Sequence, residues 1–178
     1  MRVPGLRQRP RTGELMQPRE GNLFDVSGRV VILTGGCGLL GTDHAQALAR
    51  AGAHVIIADT RIAPAEALAA SIREQYGVQP LPIQVDVSSQ PSVQAMIGHV
   101  LKTFGRIDVL VNNAAIDPKF DPEHEGAHST AFEDYPLSLW NESLAVNVTG
   151  MFLCAQAVAA PMLSQGSGAI INICSIYG

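Results

Sequence analysis

From about Phe24 onward the chain alternates two textures. Short runs rich in Val and Ile fall at Val30–Thr34, Val55–Asp59, Leu81–Asp86, Ile107–Asn112 and Ala169–Ile173. Each run is continuously apolar, as expected of parallel strands buried on both faces. Between them lie stretches with helical spacing, roughly 40–51, 63–76, 89–104 and 138–165. In the second of these, Ala63, Ala67, Ala70 and Ile72 fall near helical spacing, and Pro64 is compatible with a first turn. Ser88, Ser89 and Gln90 ahead of Pro91 read as the start of the third. The order β-α-β-α-β-α-β-α-β predicts an α/β fold with a doubly wound parallel sheet and right-handed crossovers.

Residues 1–22 do not fit this pattern. They carry Arg2, Arg7, Arg9, Arg11 and Arg19 against Glu14 and Glu20, together with Pro4, Pro10 and Pro18. This is expected to be a flexible, basic, Pro-rich extension, or the product of a start codon placed too early. No apolar stretch follows the arginines, so a secretory signal is not expected, and the prolines disfavour the amphipathic helix of a mitochondrial presequence. Residues 23–178 form the expected domain. The whole chain has 178 residues, a net charge of −4 and 16% charged residues. That acidic balance argues against a general nucleic-acid binder. No apolar run is expected to cross a membrane. Cys37, Cys154 and Cys174 form no CxxC pair, so neither a disulfide framework nor a structural metal site is expected. A reducing, cytoplasmic setting fits this usage.

The chemistry begins where the first strand meets the first helix. Val30–Leu33 runs into Thr34-Gly35-Gly36-Cys37-Gly38-Leu39-Leu40-Gly41, in which Gly36, Gly38 and Gly41 satisfy G-x-G-x-x-G. Following a strand and opening a helix inside a βαβ unit, the pattern reads as a dinucleotide-binding fingerprint of Rossmann type. The glycines permit the tight turn, the approach of a pyrophosphate to backbone, and close packing of helix on sheet. The helix N-terminus then receives the phosphate charge. The next strand ends in Asp59, 18 positions after Gly41. Its carboxylate can accept bonds from both hydroxyls of an adenosine ribose and would repel a 2′-phosphate, so NAD is favoured over NADP. Arg61, two residues on, could partly reverse that preference.

Further segments resemble one family. Across roughly 24–178 the chain resembles the short-chain dehydrogenases/reductases. Thr34, Gly35, Gly36, Gly38, Leu39, Leu40 and Gly41 resemble its cofactor loop, and Asp86-Val87 its adenine contact. Asn112-Asn113-Ala114-Ala115 resembles its Asn-Asn-Ala-Gly motif, with alanine last. The resemblance implies that Asn113, Ala114 and Ala115 face the cofactor. It also implies that Asn147 is the helical catalytic asparagine and Ser175 the catalytic serine. The implied strand order is 3-2-1-4-5, about five strands, with the sheet incomplete at its C-terminal side. The implied reaction is interconversion of an alcohol and a carbonyl by hydride transfer. Its partners are a small-molecule alcohol or carbonyl and, by family habit, further copies of the chain.

Two departures qualify the resemblance. The family's commonest loop, Thr-Gly-x-x-x-Gly-x-Gly, would place glycine at 39, where this chain has Leu39. Gly35, Gly38 and Gly41 instead match the Gly-x-x-Gly-x-x-Gly spacing of the extended branch. The second departure concerns proton transfer. The family uses Tyr-x-x-x-Lys, in which lysine lowers the phenol pKa so that tyrosine serves as general acid or base. Tyr76, Tyr135 and Tyr177 are the tyrosines present, and none has lysine four residues on. The expectation is a chain truncated before that motif and inactive by itself. The alternative is a catalytically dead NAD-binding protein. A third reading, a zinc hydrolase, rests on His124-Glu125-Gly126-Ala127-His128. Pro118, Pro122 and Gly126 argue instead for a loop there, bordering the ligand-binding edge of the sheet.

Overall fold

The computed structural model describes residues 25–117 and 131–175. The basic extension 1–22, His124, His128 and Tyr177 lie outside the described residues. The elements follow in order: β1 (Val30–Thr34), α1 (Leu39–Arg50), β2 (His54–Asp59), α2 (Ile62–Tyr76), β3 (Leu81–Gln84), α3 (Gln90–Phe104), β4 (Val109–Asn112), α4 (Leu137–Leu144), a π-helical turn (Ala145–Gly150), α5 (Met151–Gln165) and β5 (Ala169–Asn172). The five strands form one parallel sheet in the order β3-β2-β1-β4-β5. Order and direction match the expected Rossmann-type sheet.

Alternation along each strand divides the core into two layers. Val30 and Ile32 of β1, Ile56 and Ala58 of β2 and Leu110 of β4 join Val93, Met96, Ile97, Val100, Cys154 and Val158 on the α3–α5 face. Val31, Leu33, Val55, Ile57 and Val111 join Ala45, Ala49, Ala65, Ala69 and Ile72 on the α1–α2 face. Alanine dominates the contact side of α1 and α2, which lets those helices lie close to the sheet. Helices α2, α3 and α5 stop at Gly77, Gly105 and Gly166, each left-handed, where a side chain would be strained.

Four expectations need correction. The strand expected over Leu81–Asp86 ends at Gln84, and the one expected from Ile107 begins at Val109. Beyond those limits the backbone still bonds to the sheet, Val85 N–H to Asp59 C=O and Asp108 N–H to Val30 C=O. The long helix expected over 138–165 is interrupted by the π turn. Helical periodicity does not register one residue inserted into a turn. Finally, the stretch Leu137–Gln165 is 29 residues long, with an 18-residue window of mean hydropathy 1.5, enough to cross a membrane by length and composition. Polar residues break its apolar run along the chain, so no single uninterrupted apolar stretch marks it in the sequence. Here Cys154, Val158 and Met162 bury one face of the helix against the sheet layer, and Gln165 bonds both N–H and C=O of Ile107.

At the N-terminal edge of the sheet, the buried Asp108 carboxylate accepts bonds from Val30 N–H, Arg29 and Arg106. Burial by itself raises its pKa. The bonds from Arg106, Val30 and Arg29 and the charge of Arg106 outweigh that, and its pKa falls below the ordinary aspartate value. This cluster secures the edge opposite the candidate site.

Candidate functional site

A cleft of about 360 Å³ opens at the carboxyl ends of β1, β2 and β4. It lies where the chain order reverses on either side of β1, the position at which open α/β sheets bind ligands. Of the thirteen residues expected to hold a dinucleotide, eleven line it: Gly35, Gly38, Leu39, Leu40 and Gly41 from the loop, Asp59, Asp86 and Val87 from β2 and after β3, and Asn113, Ala114 and Ala115 after β4.

The remaining two, Thr34 and Gly36, stand behind the wall. Thr34 is buried, and its Oγ1 accepts the N–H groups of Asn113 and Ala114, each at 3.0 Å. Asn113 returns the link, its Nδ2 donating to the carbonyls of Thr34 and Gly35 at 3.0 and 3.1 Å. The ends of β1 and β4 are thereby fastened across the floor of the cleft. A Cβ on Gly36 would come within 2.9 Å of Ile57 Cγ2, so that glycine serves the turn's packing.

The loop requires glycine at two places for separate reasons. Gly35 has φ +63°, and a Cβ there would sit 2.7 Å from Ala114 Cα. At Gly41, in the first turn of α1, a Cβ would overlap the Gly35 carbonyl oxygen. No such need exists at 39, where the Leu39 side chain projects into solvent. This is why the loop departs from the commonest family spacing without losing its turn. Helix α1 has no side-chain cap, and the amides of Leu39, Leu40 and Gly41 have no intrahelical acceptor. They form an anion-receptive end beside the cleft.

Asp59 closes β2 and is 6% exposed. Its Oδ2 accepts Cys37 N–H at 2.9 Å; its Oδ1 accepts Arg61 N–H at 3.0 Å and Arg61 Nε–H at 3.3 Å. Across from it, Asp86 accepts Ser88 N–H and Oγ–H, while Asp86 N–H donates to Ser92 Oγ. The cradle that added Cβ atoms would fill, the open helix end and a carboxylate at the end of β2 together fit a dinucleotide.

Asn147 lies in the π turn, with its side chain on the backbone of Ile116. Its Oδ1 accepts Ile116 N–H at 2.8 Å and its Nδ2 donates to Ile116 C=O at 2.9 Å. π turns of this kind recur at functional sites because the inserted residue re-aims a side chain. A Cβ on Gly150 would meet Val87 Cγ2 at 2.7 Å, so glycine there lets the π turn approach the Val87 wall of the cleft. Ser175 lies three residues past β5 and is exposed. The buried Asn112 joins the two elements that lead to these residues. Its Nδ2 donates to Asn172 Oδ1 at 2.9 Å and to Met151 C=O at 3.4 Å. Neither Asn147 nor Ser175 lines the cleft itself.

Six further residues line the cleft: Ala58, Thr60, Arg61, Val85, Ile116 and Val146. Arg61 carried a sequence signal through its place beside Asp59, and Ile116 opens the segment expected to border the ligand-binding edge of the sheet. Ile116 and Val146 enter because Asn147 fastens their segments together, a contact between residues 31 positions apart.

A family model described as short chain dehydrogenase matches residues 29–178. A short-chain dehydrogenase/reductase from Aspergillus oryzae is 37% identical over 153 residues, covering 85% of this chain and 55% of that protein. A 5-keto-D-gluconate 5-reductase from Escherichia coli is 35% identical over 155 residues, covering 87% of this chain and 57% of that one. Among solved structures, a short-chain type dehydrogenase/reductase from Mycobacterium marinum superposes with TM-score 0.78 at 35% identity, over 88% of this chain and 59% of that one. NAD+-bound xylitol dehydrogenase superposes with TM-score 0.75 at 34% identity, over 85% and 55%. The chain spans little more than half the length of the relatives it matches.

Proposed function

Because the chain belongs to the short-chain dehydrogenase family, whose members are nicotinamide-dependent oxidoreductases, we propose that it supplies the dinucleotide-holding part of an enzyme that interconverts a small alcohol and a carbonyl. We further propose NAD as the preferred cofactor. The observation that carries this reading is the arrangement of Asp59, the glycine cradle and the open end of α1 around one cleft. The bound nicotinamide would supply the hydride acceptor or donor.

The chain's own residues have separable tasks in this reading. The amides at the start of α1 hold the pyrophosphate charge, and Gly35 and Gly41 let it approach. Asp59 receives the adenosine ribose, and Asp86 and Val87 border the adenine. Thr34 and Asn113 keep the β1 and β4 ends in register beneath the cofactor. Ser175 orients the substrate oxygen, and Asn147 fixes the Ile116 backbone at the reacting end. Proton transfer by a tyrosine paired with a lysine is not completed within these 178 residues. The 178-residue polypeptide is therefore proposed to bind cofactor without turnover. The small-molecule substrate, association with further copies, and a reducing cytoplasmic setting remain part of this proposal.

The test is a fluorescence or calorimetric titration of the folded chain with NADH. Saturable binding is expected, reduced at least about tenfold in Gly41→Ala, where the new methyl would displace the loop. A folded chain with no affinity for NADH or NADPH would overturn the reading. Hydride transfer from a polyol to NAD by these 178 residues would overturn the binding-only part of it.

A further inference from the structure

A second cavity, of about 310 Å³, adjoins the cleft at the end of β3. Its walls are Thr60, Gln84, Val85, Asp86 and Ser92. Thr60, Val85 and Asp86 also line the cleft, so the two spaces meet across these three residues. Four of the five side chains are polar, and Asp86 is the one charge among them. Their hydrogen bonds leave groups for a ligand. Ser88 uses only Oδ1 of Asp86, through its N–H at 2.9 Å and its Oγ–H at 2.6 Å. Among the described residues no hydrogen bond reaches Asp86 Oδ2. Gln84 Nε2 donates to Thr60 C=O at 3.0 Å, which fixes the amide and leaves its oxygen as an acceptor. Ser92 Oγ accepts Asp86 N–H at 3.1 Å and keeps its own proton.

We propose that this groove extends the dinucleotide site and receives a short, amine-bearing substituent on the exocyclic N6 of the adenine. The inference rests on the dinucleotide reading of the cleft, with Asp86 beside the adenine. An ionised carboxylate only accepts hydrogen bonds. The donors on an adenine base bound through its ribose are the two hydrogens of N6. That edge therefore suits Asp86 Oδ2, and one hydrogen suffices for the bond. The other can give way to a substituent, which passes Asp86 into the groove. A terminal ammonium there meets the Asp86 charge, the Gln84 amide oxygen and Ser92 Oγ. Gln84 and Ser92 belong to the groove and not to the cleft, so they act on the substituent and not on the base.

The test is titration of the chain and of two variants, Gln84→Lys and Gln84→Glu, with NAD and N6-(2-aminoethyl)-NAD at low ionic strength. The readout is the ratio Kd(N6-aminoethyl)/Kd(NAD) within each protein. A partly unfolded sample, or a change at Asp59 beside Gln84 in the sheet, acts on both ligands and cancels in the ratio. In the parent the ratio is expected to lie within about threefold of one, since an exposed ion pair adds little beyond the cost of ordering the substituent. Gln84→Lys places a like charge in the groove and is expected to raise the ratio at least about threefold. Gln84→Glu is expected to lower it at least about twofold, and both shifts should shrink as salt is added. A parent ratio above about tenfold overturns the proposal, because the groove then excludes the substituent. A ratio that moves in neither variant, or in the same direction in both, overturns it as well, because the ammonium then lies elsewhere. Failure of the parent chain to bind NAD is a different result, which overturns the reading of the cleft itself.

Discussion

In β1 every residue is buried, whereas in β5 every residue is exposed, although both are short apolar runs in the same sheet. The difference lies in what surrounds them. β1 has β2 on one side and β4 on the other, with α1 and α2 packed over one face and α3 and α5 over the other. Among the described residues β5 pairs with β4 alone, and Ile170 and Ile171 remain 42% and 48% exposed. The helical stretch before it is similar: Trp140, Val148, Phe152 and Leu163 are exposed, while Cys154, Val158 and Met162 pack inward. The contrast teaches that the proposed cofactor cradle is built on the half of the sheet with a complete core. Ser175, proposed to meet substrate, and Asn147, which holds the Ile116 backbone, belong to the thinner half. A cradle must hold a fixed backbone geometry, so placing it on the most constrained strands suits its task.

The largest expected difference between the halves is in stability. Ile56→Ala, in the core of β2, is expected to cost about 2–5 kcal/mol, whereas Ile170→Ala in β5 should cost under about 1 kcal/mol. Urea unfolding with an unchanged slope measures both. Equal losses would mean that β5 is as well packed as β2.

Thiol reactivity sharpens the same contrast. Burial pushes the Cys154 thiol up to about 11, and the side chain has no exposure. Cys174, just beyond β5, is exposed. At pH 8 a disulfide reagent is expected to modify Cys174 at least about a hundredfold faster than Cys154. Cys37 should fall between them, since burial first and the Asp59 charge second raise its pKa, with Arg61 pulling the other way. Peptide mapping over time separates the three, and equal rates would refute the assignment of Cys154 to the core.

The smallest expected effect concerns the seam between the halves, where Asp108 binds Arg29 and Val30 at the start of β1 and Arg106 ahead of β4. Its pKa is lowered on folding, so its contribution is fully present above the ordinary value of 3.8. It is lost as pH falls through the lower folded-state value. Asp108→Asn is expected to cost about 1–3 kcal/mol at neutral pH, because Arg29 and Arg106 are about half exposed and can rehydrate. The variant should also lose part of the acid sensitivity, as read from urea midpoints between about pH 5 and about pH 2. A variant with the parent's full pH slope would show that Asp108 does not tie the halves together.

Much of the cradle was legible in the sequence because its requirements are local. Gly35, Gly36, Gly38 and Gly41 lie within one turn, and Asp59 lies one crossover away, so their spacing along the chain reports their spacing in the fold. Thr34 was expected to touch the cofactor, yet the structure sets it behind Asn113 and Ala114. That relation spans 79 and 80 positions and has no local signature. Val146 escaped notice for the same reason, and the π turn because a one-residue insertion leaves the apolar pattern almost unchanged.

The alternation of strands and helices, the parallel sheet and the glycine turn are written into the order of residues alone. All of these follow from the period of apolar positions and from backbone conformations open to few residues. The family resemblance already implied that β1 would be enclosed and β5 would form an edge; the tertiary structure alone decided how fully their side chains would be covered. It also decided which side of the cleft Asn147 would fasten, and that Arg61 would lie against Asp59 and the Cys37 carbonyl. Burial, long-range hydrogen bonds and charge pairing are properties of neighbours in space. A run of Ile and Val reads alike whether one strand flanks it or two.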